Sequence, residues 1–361
     1  MNKMFEISYA VIIGFNRRIR MQGKDYRIIQ RNKVIRKWND MDMYQKRKIR
    51  KENKKNNTQE NSTKSSFNWF PGHMAKTRRQ IAEDLKMIDV VVEILDARIP
   101  MSSQNPDIRQ ITQNKKKIIV LNKYDLSDKN KTERWIEYFT QKGQKVVLAD
   151  SLTGKGVNET VRQIQKVMEE DMQKMADKGR IGRKIRTMIV GIPNVGKSSF
   201  INRISKRTTA GVGNKPGVTK QKQWIRINEK IELLDTPGVL WPKFESEEVA
   251  LHLCFTGSIK EEILDKLEIA YQLTKFLLEN YRKKLCERYK LDEKYIENIL
   301  RQDQPENNNI YEIMLEIGKK RGCIMSGGRI DEEKTSRLIL DEFKNGKLGK
   351  ITIECPFRDV S

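Results

Sequence analysis

Five short runs carry residue types whose spacing suits phosphate and base chemistry. Gly191-Ile192-Pro193-Asn194-Val195-Gly196-Lys197-Ser198 has the pattern G-x-x-x-x-G-K-S. Its glycines allow successive backbone N–H groups to turn inward on phosphate oxygens. Lys197 would reach the β- and γ-phosphates, Ser198 would ligate Mg²⁺, and Asn194, Val195, Gly196 and Ser199 would complete the cradle. Asn122-Lys123-Tyr124-Asp125 serves a different purpose. The Asp125 carboxylate can accept from both the N1–H and the 2-amino group of guanine; adenine offers neither, so the run selects GTP over ATP. The aliphatic stem of Lys123 can cover a base face. Asp150-Ser151 stands where a second base-contacting loop belongs, although small polar residues after a strand also make ordinary turns. In Asp235-Thr236-Pro237-Gly238, Asp235 would hold Mg²⁺ through water and the Gly238 N–H would meet the γ-phosphate. Thr219, in Pro216-Gly217-Val218-Thr219, is the candidate switch threonine that closes on Mg²⁺ and the γ-phosphate in the GTP state. It gains that reading only from lying between the phosphate loop and Asp235.

The order of these runs is inverted. In an ordinary small GTPase the phosphate loop comes near the start; here Asn122 precedes Gly191. The chain therefore reads as a circularly permuted P-loop GTPase, and the elements needed to position the loops are visible. Asp89–Asp96, Lys117–Asn122, Lys145–Ala149 and Thr187–Gly191 are near-continuous runs of branched apolar residues, the signature of strands covered on both faces. Helical stretches at Thr132–Lys142 and Val157–Lys174 alternate with them, which makes the fold α/β, with a doubly wound and mostly parallel sheet. Gln223–Ile227 and Lys230–Asp235, separated by Asn228-Glu229, read as a hairpin. Beyond about Phe244 the strand signals fade. Glu261–Tyr281, Ile310–Ile317 and Lys334–Phe343 space their apolar residues helically, which predicts a smaller all-helical C-terminal domain.

Three segments follow: a basic extension over 1–66, the permuted GTPase domain over 67–244 and a helical domain over 245–361. The 361 residues carry a formal net charge of +24, and residues 1–66 supply half of it with 18 Lys/Arg against 6 Asp/Glu. That excess favours a polyanionic partner through counterion release, against the plainer reading of a solvated lysine-rich surface. Lys46–Lys64 has little to bury and reads as disordered; as a whole the extension is an RNA-binding arm, an inconsequential addition or the product of a wrongly chosen start. Cys254, Cys286, Cys323 and Cys355 are scattered without metal-ligand spacing, as expected in a reducing compartment. No apolar run approaches the roughly 20 residues of a membrane-spanning helix. The run Phe5–Phe15 has its arginines (Arg17, Arg18, Arg20) on the wrong side for a secretory signal, so a cytoplasmic location is expected, with an organellar transit segment as the alternative.

Asn68-Trp69-Phe70-Pro71-Gly72-His73-Met74-Ala75-Lys76, Asp96-Ala97-Arg98-Ile99-Pro100 and Lys320-Arg321-Gly322-Cys323-Ile324-Met325-Ser326-Gly327-Gly328, with the permuted order, resemble the bacterial ribosome biogenesis GTPase A (YlqF) family. Mitochondrial GTPases are close relatives of that group. The resemblance covers about residues 67–350. It implies late assembly of the large (50S) ribosomal subunit, with binding to pre-ribosomal rRNA stimulating hydrolysis of GTP to GDP, by a protein that is a monomer off the ribosome. A GTP-regulated RNA-binding scaffold with incidental hydrolysis is the alternative. The long extension departs from the family, whose Trp-Phe-Pro-Gly motif lies near the start. Ras-like proteins orient the attacking water with a glutamine just after Asp-x-x-Gly; Val239 and Leu240 stand here instead. His73 is the candidate to orient that water or take its proton, the competing reading being a structural loop residue. Asn194 resembles the asparagine that holds K⁺ in cation-dependent GTPases. Lys319, Lys320 and Arg321 form either an RNA contact or an ordinary basic helix end.

Overall fold

In the computed structural model the described residues are 72–206, 224–236, 238, 240–241, 244, 246–259, 265–301 and 306–356, with side chains described from 76 onward except at 206 and 306–308. The extension over 1–66 and Thr219 therefore lie outside the described residues. Those belonging to 66–301 and 312–356 form one compact unit.

The elements run α1 (Gly72–Asp84), β1 (Val90–Asp96), α2 (Pro106–Ile111), β2 (Lys116–Asn122), α3 (Lys129–Gln141), β3 (Lys145–Ala149), α4 (Val157–Asp177), β4 (Ile185–Val190), α5 (Lys197–Lys206), β5 (Trp224–Arg226) and β6 (Ile231–Asp235). The helices α6 (Glu247–Phe255), α7 (Lys266–Asn280), α8 (Arg282–Tyr289), α9 (Glu293–Arg301), α10 (Glu306–Lys320) and α11 (Glu332–Lys344) follow. The six strands make one sheet in the order β3-β2-β1-β4-β6-β5, parallel except for the antiparallel β5–β6 hairpin. The mostly parallel α/β sheet with helices after it is the architecture expected from the apolar runs.

β1 is buried along its whole length because it lies at the centre with neighbours on both sides. Chain order reverses at the β1–β4 boundary, and at such a point the loops after the two strands diverge and leave a crevice at the carboxyl ends. Asp96 ends β1, Asn122 pairs with it in register at the end of β2, Ala149 pairs with Asn122, and Gly191 follows β4. The register thus brings the loops after β1, β2, β3 and β4 to one edge of the sheet.

Two features fix the base side of this edge. Leu95, Ala97, Ile119 and Leu121 pack with Trp135 and Phe139 of α3, whose rings lie 5.7 Å apart. Each of the leucine, isoleucine and phenylalanine side chains among them contributes roughly 1.5–3 kcal/mol on burial. Asp128 caps α3, its side chain accepting from Lys131 N, so the helix starts three residues earlier than the apolar spacing alone predicts, at Lys129 rather than Thr132.

The chain does not end on the helices. After α11, residues 351–354 return as an extended strap across the GTPase loops. Ile351 N donates to Leu126 O (2.9 Å), Ile353 N to Arg98 O (2.8 Å) and Trp135 Nε1 to Glu354 O (3.1 Å). The Tyr281 hydroxyl of the helical region donates to Thr352 O (3.0 Å). Glu354 takes the backbone N–H of Met101 (2.6 Å) and Ser102 (3.0 Å) and sits 3.0 Å from His252 Nδ1, which also contacts Ser102 Oγ at 3.0 Å. His252 thus joins α6 to the strap.

Candidate nucleotide site

The phosphate loop has the backbone that its sequence requires. Asn194 (φ 62°) and Gly196 (φ 98°) both occupy the left-handed region. A Cβ at Gly196 would fall 2.3 Å from Asn122 Nδ2, so only glycine lets the phosphate loop meet the base loop there. Lys197 opens α5, is 7% exposed and donates to Ile192 O at 2.9 Å. Burial pushes its pKa down to about 8, against the raising effect of Asp235. Burial likewise raises the Asp235 carboxyl above its ordinary value, and Lys197 partly offsets that. Gly238 lies close to Lys197: a Cβ there would come within 2.6 Å of Lys197 Nζ. Ser198 is exposed at the mouth of the loop and Ser199 is half-buried.

The base side is cross-braced. Asn122 Nδ2 donates to Val195 O (2.7 Å), and its Oδ1 accepts from Ser151 N (3.0 Å) and Ser151 Oγ (2.7 Å). One amide thereby locks three loops together. Lys123 takes a left-handed backbone (φ 57°), and its ammonium donates to Asp96 Oδ2 (2.9 Å) and Asn194 O (2.6 Å). Asp125 begins the turn after it, in the short 3₁₀ segment Tyr124–Leu126. Burial, then the nearby Asp150 carboxylate, raises Asp125 above its ordinary value. Asp150 is already committed: it accepts from Leu152 N (2.9 Å), Thr153 N (3.3 Å) and Thr153 Oγ1 (2.5 Å). Asp150 and Ser151 therefore build the loop, which leaves Asp125 as the carboxylate to meet a base edge.

Of the residues singled out from sequence, Asn122, Lys123, Asp125, Asp150, Ser151, Asn194–Ser199, Asp235 and Gly238 are gathered at this edge. His73 lies in the first turn of α1, with its side chain outside the description, and Thr219 is likewise outside it. Asn194 has a bond that sequence could not foretell: its Nδ2 donates to Gly257 O (2.6 Å), just after α6. Its Oδ1 is the group left for a cation, a hard oxygen of the kind K⁺ takes. Ser198 and Asp235 likewise offer the hard oxygen set that suits Mg²⁺. Asp96 and Arg98 were quoted in the sequence only as a family motif, yet they form the best-connected buried charge pair at this edge. Arg321, by contrast, is held by Glu342 (2.5 Å) and lies over the Tyr289 ring at 5.6 Å, so a structural bond occupies the guanidinium that the sequence offered to RNA. Lys319 and Lys320 stay exposed, reaching Glu316 only at 3.9 and 4.0 Å.

Comparison with known proteins agrees with this geometry. The family described as 50S ribosome-binding GTPase matches residues 186–312. Ribosome biogenesis GTPase A of Bacillus cereus is 47% identical over 288 residues, covering 80% of this chain and 93% of that protein. Short integuments 2, mitochondrial, of Arabidopsis thaliana is 34% identical over 217 residues, covering 56% of this chain and 54% of that protein. Among solved structures, GNP-bound YlqF from T. maritima superposes with a TM-score of 0.53 at 26% identity, covering 78% of this chain and 98% of that one. The GDP-bound form of the same protein gives a TM-score of 0.55, also at 26% identity, covering 77% and 99%.

Proposed function

The chain belongs to the ribosome biogenesis GTPase A (YlqF) family, and from that premise we propose that it acts in late assembly of the large (50S) ribosomal subunit. It binds pre-ribosomal rRNA, hydrolyses GTP to GDP when the particle stimulates it, and works as a monomer off the ribosome, in the cytoplasm. The observation that carries the nucleotide part of this reading is the convergence of Asn122, Lys123, Asp125, Lys197 and Asp235 at the carboxyl edge of one sheet, in permuted order. The net charge of +24 supports the polyanionic partner.

In this reading Asp125 reads guanine, Lys123 covers it, and the loop Asn194–Ser199 with Gly238 holds the phosphates. Ser198, Asp235 and Thr219 would hold Mg²⁺ and Asn194 Oδ1 would hold K⁺, and both ions would supply positive charge against the phosphates. His73 would orient the attacking water. The relation to a mitochondrial protein keeps an organellar large-subunit factor as a variant of the same function. One observation favours a GTP-regulated RNA-binding scaffold instead: Leu240, near the position of the water-orienting glutamine of Ras-like proteins, is apolar and 2% exposed.

The test is GTP turnover in K⁺ buffer with purified large subunits and with small subunits as control. Stimulation by large subunits alone is expected, and a His73→Ala variant should lose it. Nucleotide binding with no stimulation by either subunit would favour the scaffold.

A further inference from the structure

One run of buried charge–charge and charge–carbonyl bonds at the nucleotide edge does not start from a residue assigned to nucleotide. It starts from Arg98. Asp96 Oδ1 accepts from Arg98 N (3.0 Å) and Arg98 Nε (2.9 Å), while Asp96 Oδ2 accepts from Arg98 Nη2 (2.8 Å) and Lys123 Nζ (2.9 Å). The Asp96 and Arg98 side chains are 0% and 2% exposed. Burial alone would raise the Asp96 carboxyl, yet the two cations hold it well below the usual carboxylate range, so it stays ionised. The free arm of the guanidinium, Nη1, donates to Phe343 O and Lys344 O at 3.2 Å each. Those are carbonyls of the last turn of α11, the helix end that carries partial negative charge, and Phe343 O accepts from Gly346 N (3.1 Å) as well. The Phe343 ring lies 5.3 Å below the guanidinium.

A second route leaves the same helix end. The Lys344 side chain lies against Gly257, where a Cβ would come 3.4 Å from Lys344 Cε, and Gly257 O accepts from Asn194 Nδ2. Both routes end on Asn194, one at its carbonyl through Lys123 and one at its side chain. Stability does not account for this arrangement, because an apolar side chain packs a core as well as a buried ion pair or better. An apolar residue at 98, however, could neither hold Lys123 through Asp96 nor sense the α11 carbonyls.

We propose that Arg98 is a positioning residue for guanine nucleotide: through Asp96 it fixes Lys123 and the Asn194 carbonyl, and it makes nucleotide affinity depend on the position of the α11 end. The proposal rests on the reading of Lys123 and Asn194 as nucleotide- and cation-contacting residues. Reciprocity follows, since a partner that shifts α11 changes nucleotide affinity by the same factor by which nucleotide changes that partner's affinity.

The experiment measures release of mant-GDP, chased with excess GDP, from the full chain. The variants are Arg98→Lys, Lys123→Ala, the double variant, and Glu354→Gln as a control on the strap. Lysine keeps the charge at 98 but cannot bond Asp96 twice and both carbonyls at once. Arg98→Lys should speed release by about tenfold, and the double variant should release no faster than Lys123→Ala alone, as residues acting in series do. Glu354→Gln should lower the melting temperature without changing release. Release from Arg98→Lys at the parental rate, or single effects that multiply in the double variant, would overturn the proposal. If Arg98→Lys does not fold, Phe343→Leu removes the ring under the guanidinium and should speed release in the same direction; an unchanged rate there also overturns it. A parental protein that fails to hold mant-GDP would instead overturn the reading of the site itself.

Discussion

The two halves of the nucleotide edge are held differently. On the base side the bracing groups are matched: Asp96 faces both Arg98 and Lys123, and the Asn122 amide is satisfied on both its nitrogen and its oxygen, while Asp125, beside Asp150, stays available to a base. On the phosphate side Lys197 is buried with a single backbone carbonyl as its recorded acceptor, and burial displaces both Lys197 and Asp235 toward their neutral forms. The base side is thus preorganised without nucleotide. The phosphate side stores unneutralised charge that an anionic phosphate chain and a cation would relieve. Selection of the base then needs little rearrangement, while occupancy of the phosphate positions is what the protein feels most strongly.

The sharpest way to break this contrast is Lys197→Met. It should weaken GDP binding by roughly 100-fold or more, as expected when a charged contact to phosphate is removed. It should also leave the melting temperature of the nucleotide-free protein unchanged or raise it, because the burial cost of the Lys197 charge exceeds what Asp235 returns. Calorimetric titration and a thermal melt read the two effects separately. A parallel loss of both would place Lys197 on the same footing as the base side.

Asp125→Asn is next. The amide still accepts from N1–H but presents a donor to the guanine 2-amino group, so GDP affinity should fall by roughly 100-fold. Xanthosine diphosphate, with a carbonyl there, should bind more tightly than GDP, and competition between the two measures it.

A pH series sharpens the phosphate side further. The free-protein pKa of Lys197 is about 8, below its ordinary value. Phosphate binds the protonated form, so GDP affinity should hold steady below pH 8 and fall as pH rises through and above it. In the nucleotide-free protein the unfolded chain holds that proton up to higher pH than the folded one does. The stability cost of Lys197 is therefore fully present below pH 8 and lessens as pH rises from there toward the unfolded value. A flat affinity between pH 7 and 9.5 would contradict this, and calorimetry over that span reads it.

The smallest effect belongs to Asn194→Ala. Loss of the bond to Gly257 should cost about 1 kcal/mol of stability, measurable by denaturant unfolding. The same variant should make GTP turnover indifferent to exchange of K⁺ for Na⁺.

The sequence made the base and phosphate loops legible because their chemistry is local. Asp125, Lys197 and Asp235 lie in short runs at the ends of predicted strands, and the mostly parallel sheet followed from the apolar character of those strands. What escaped was long in range. The Asp128 cap that starts α3 early is a single side chain outside the apolar period. The strap over 351–354 has no helical spacing and takes its place only through partners such as Leu126, Arg98 and Trp135, more than two hundred residues away. Arg98 was visible as part of a motif, but its bonds to the α11 carbonyls depend on tertiary approach. Arg321 went the other way: a basic helix end invites an RNA reading until Glu342 is seen to occupy it.

Amide hydrogen exchange on the full chain, without nucleotide and with GDP, tests the contrast most directly. The account predicts that the amide of Ser151, already bonded to Asn122, exchanges slowly in both states, while new protection on adding GDP concentrates in Gly191–Ser199 and around Gly238. A Ser151 amide that exchanges freely without GDP and becomes protected only on its addition would contradict it.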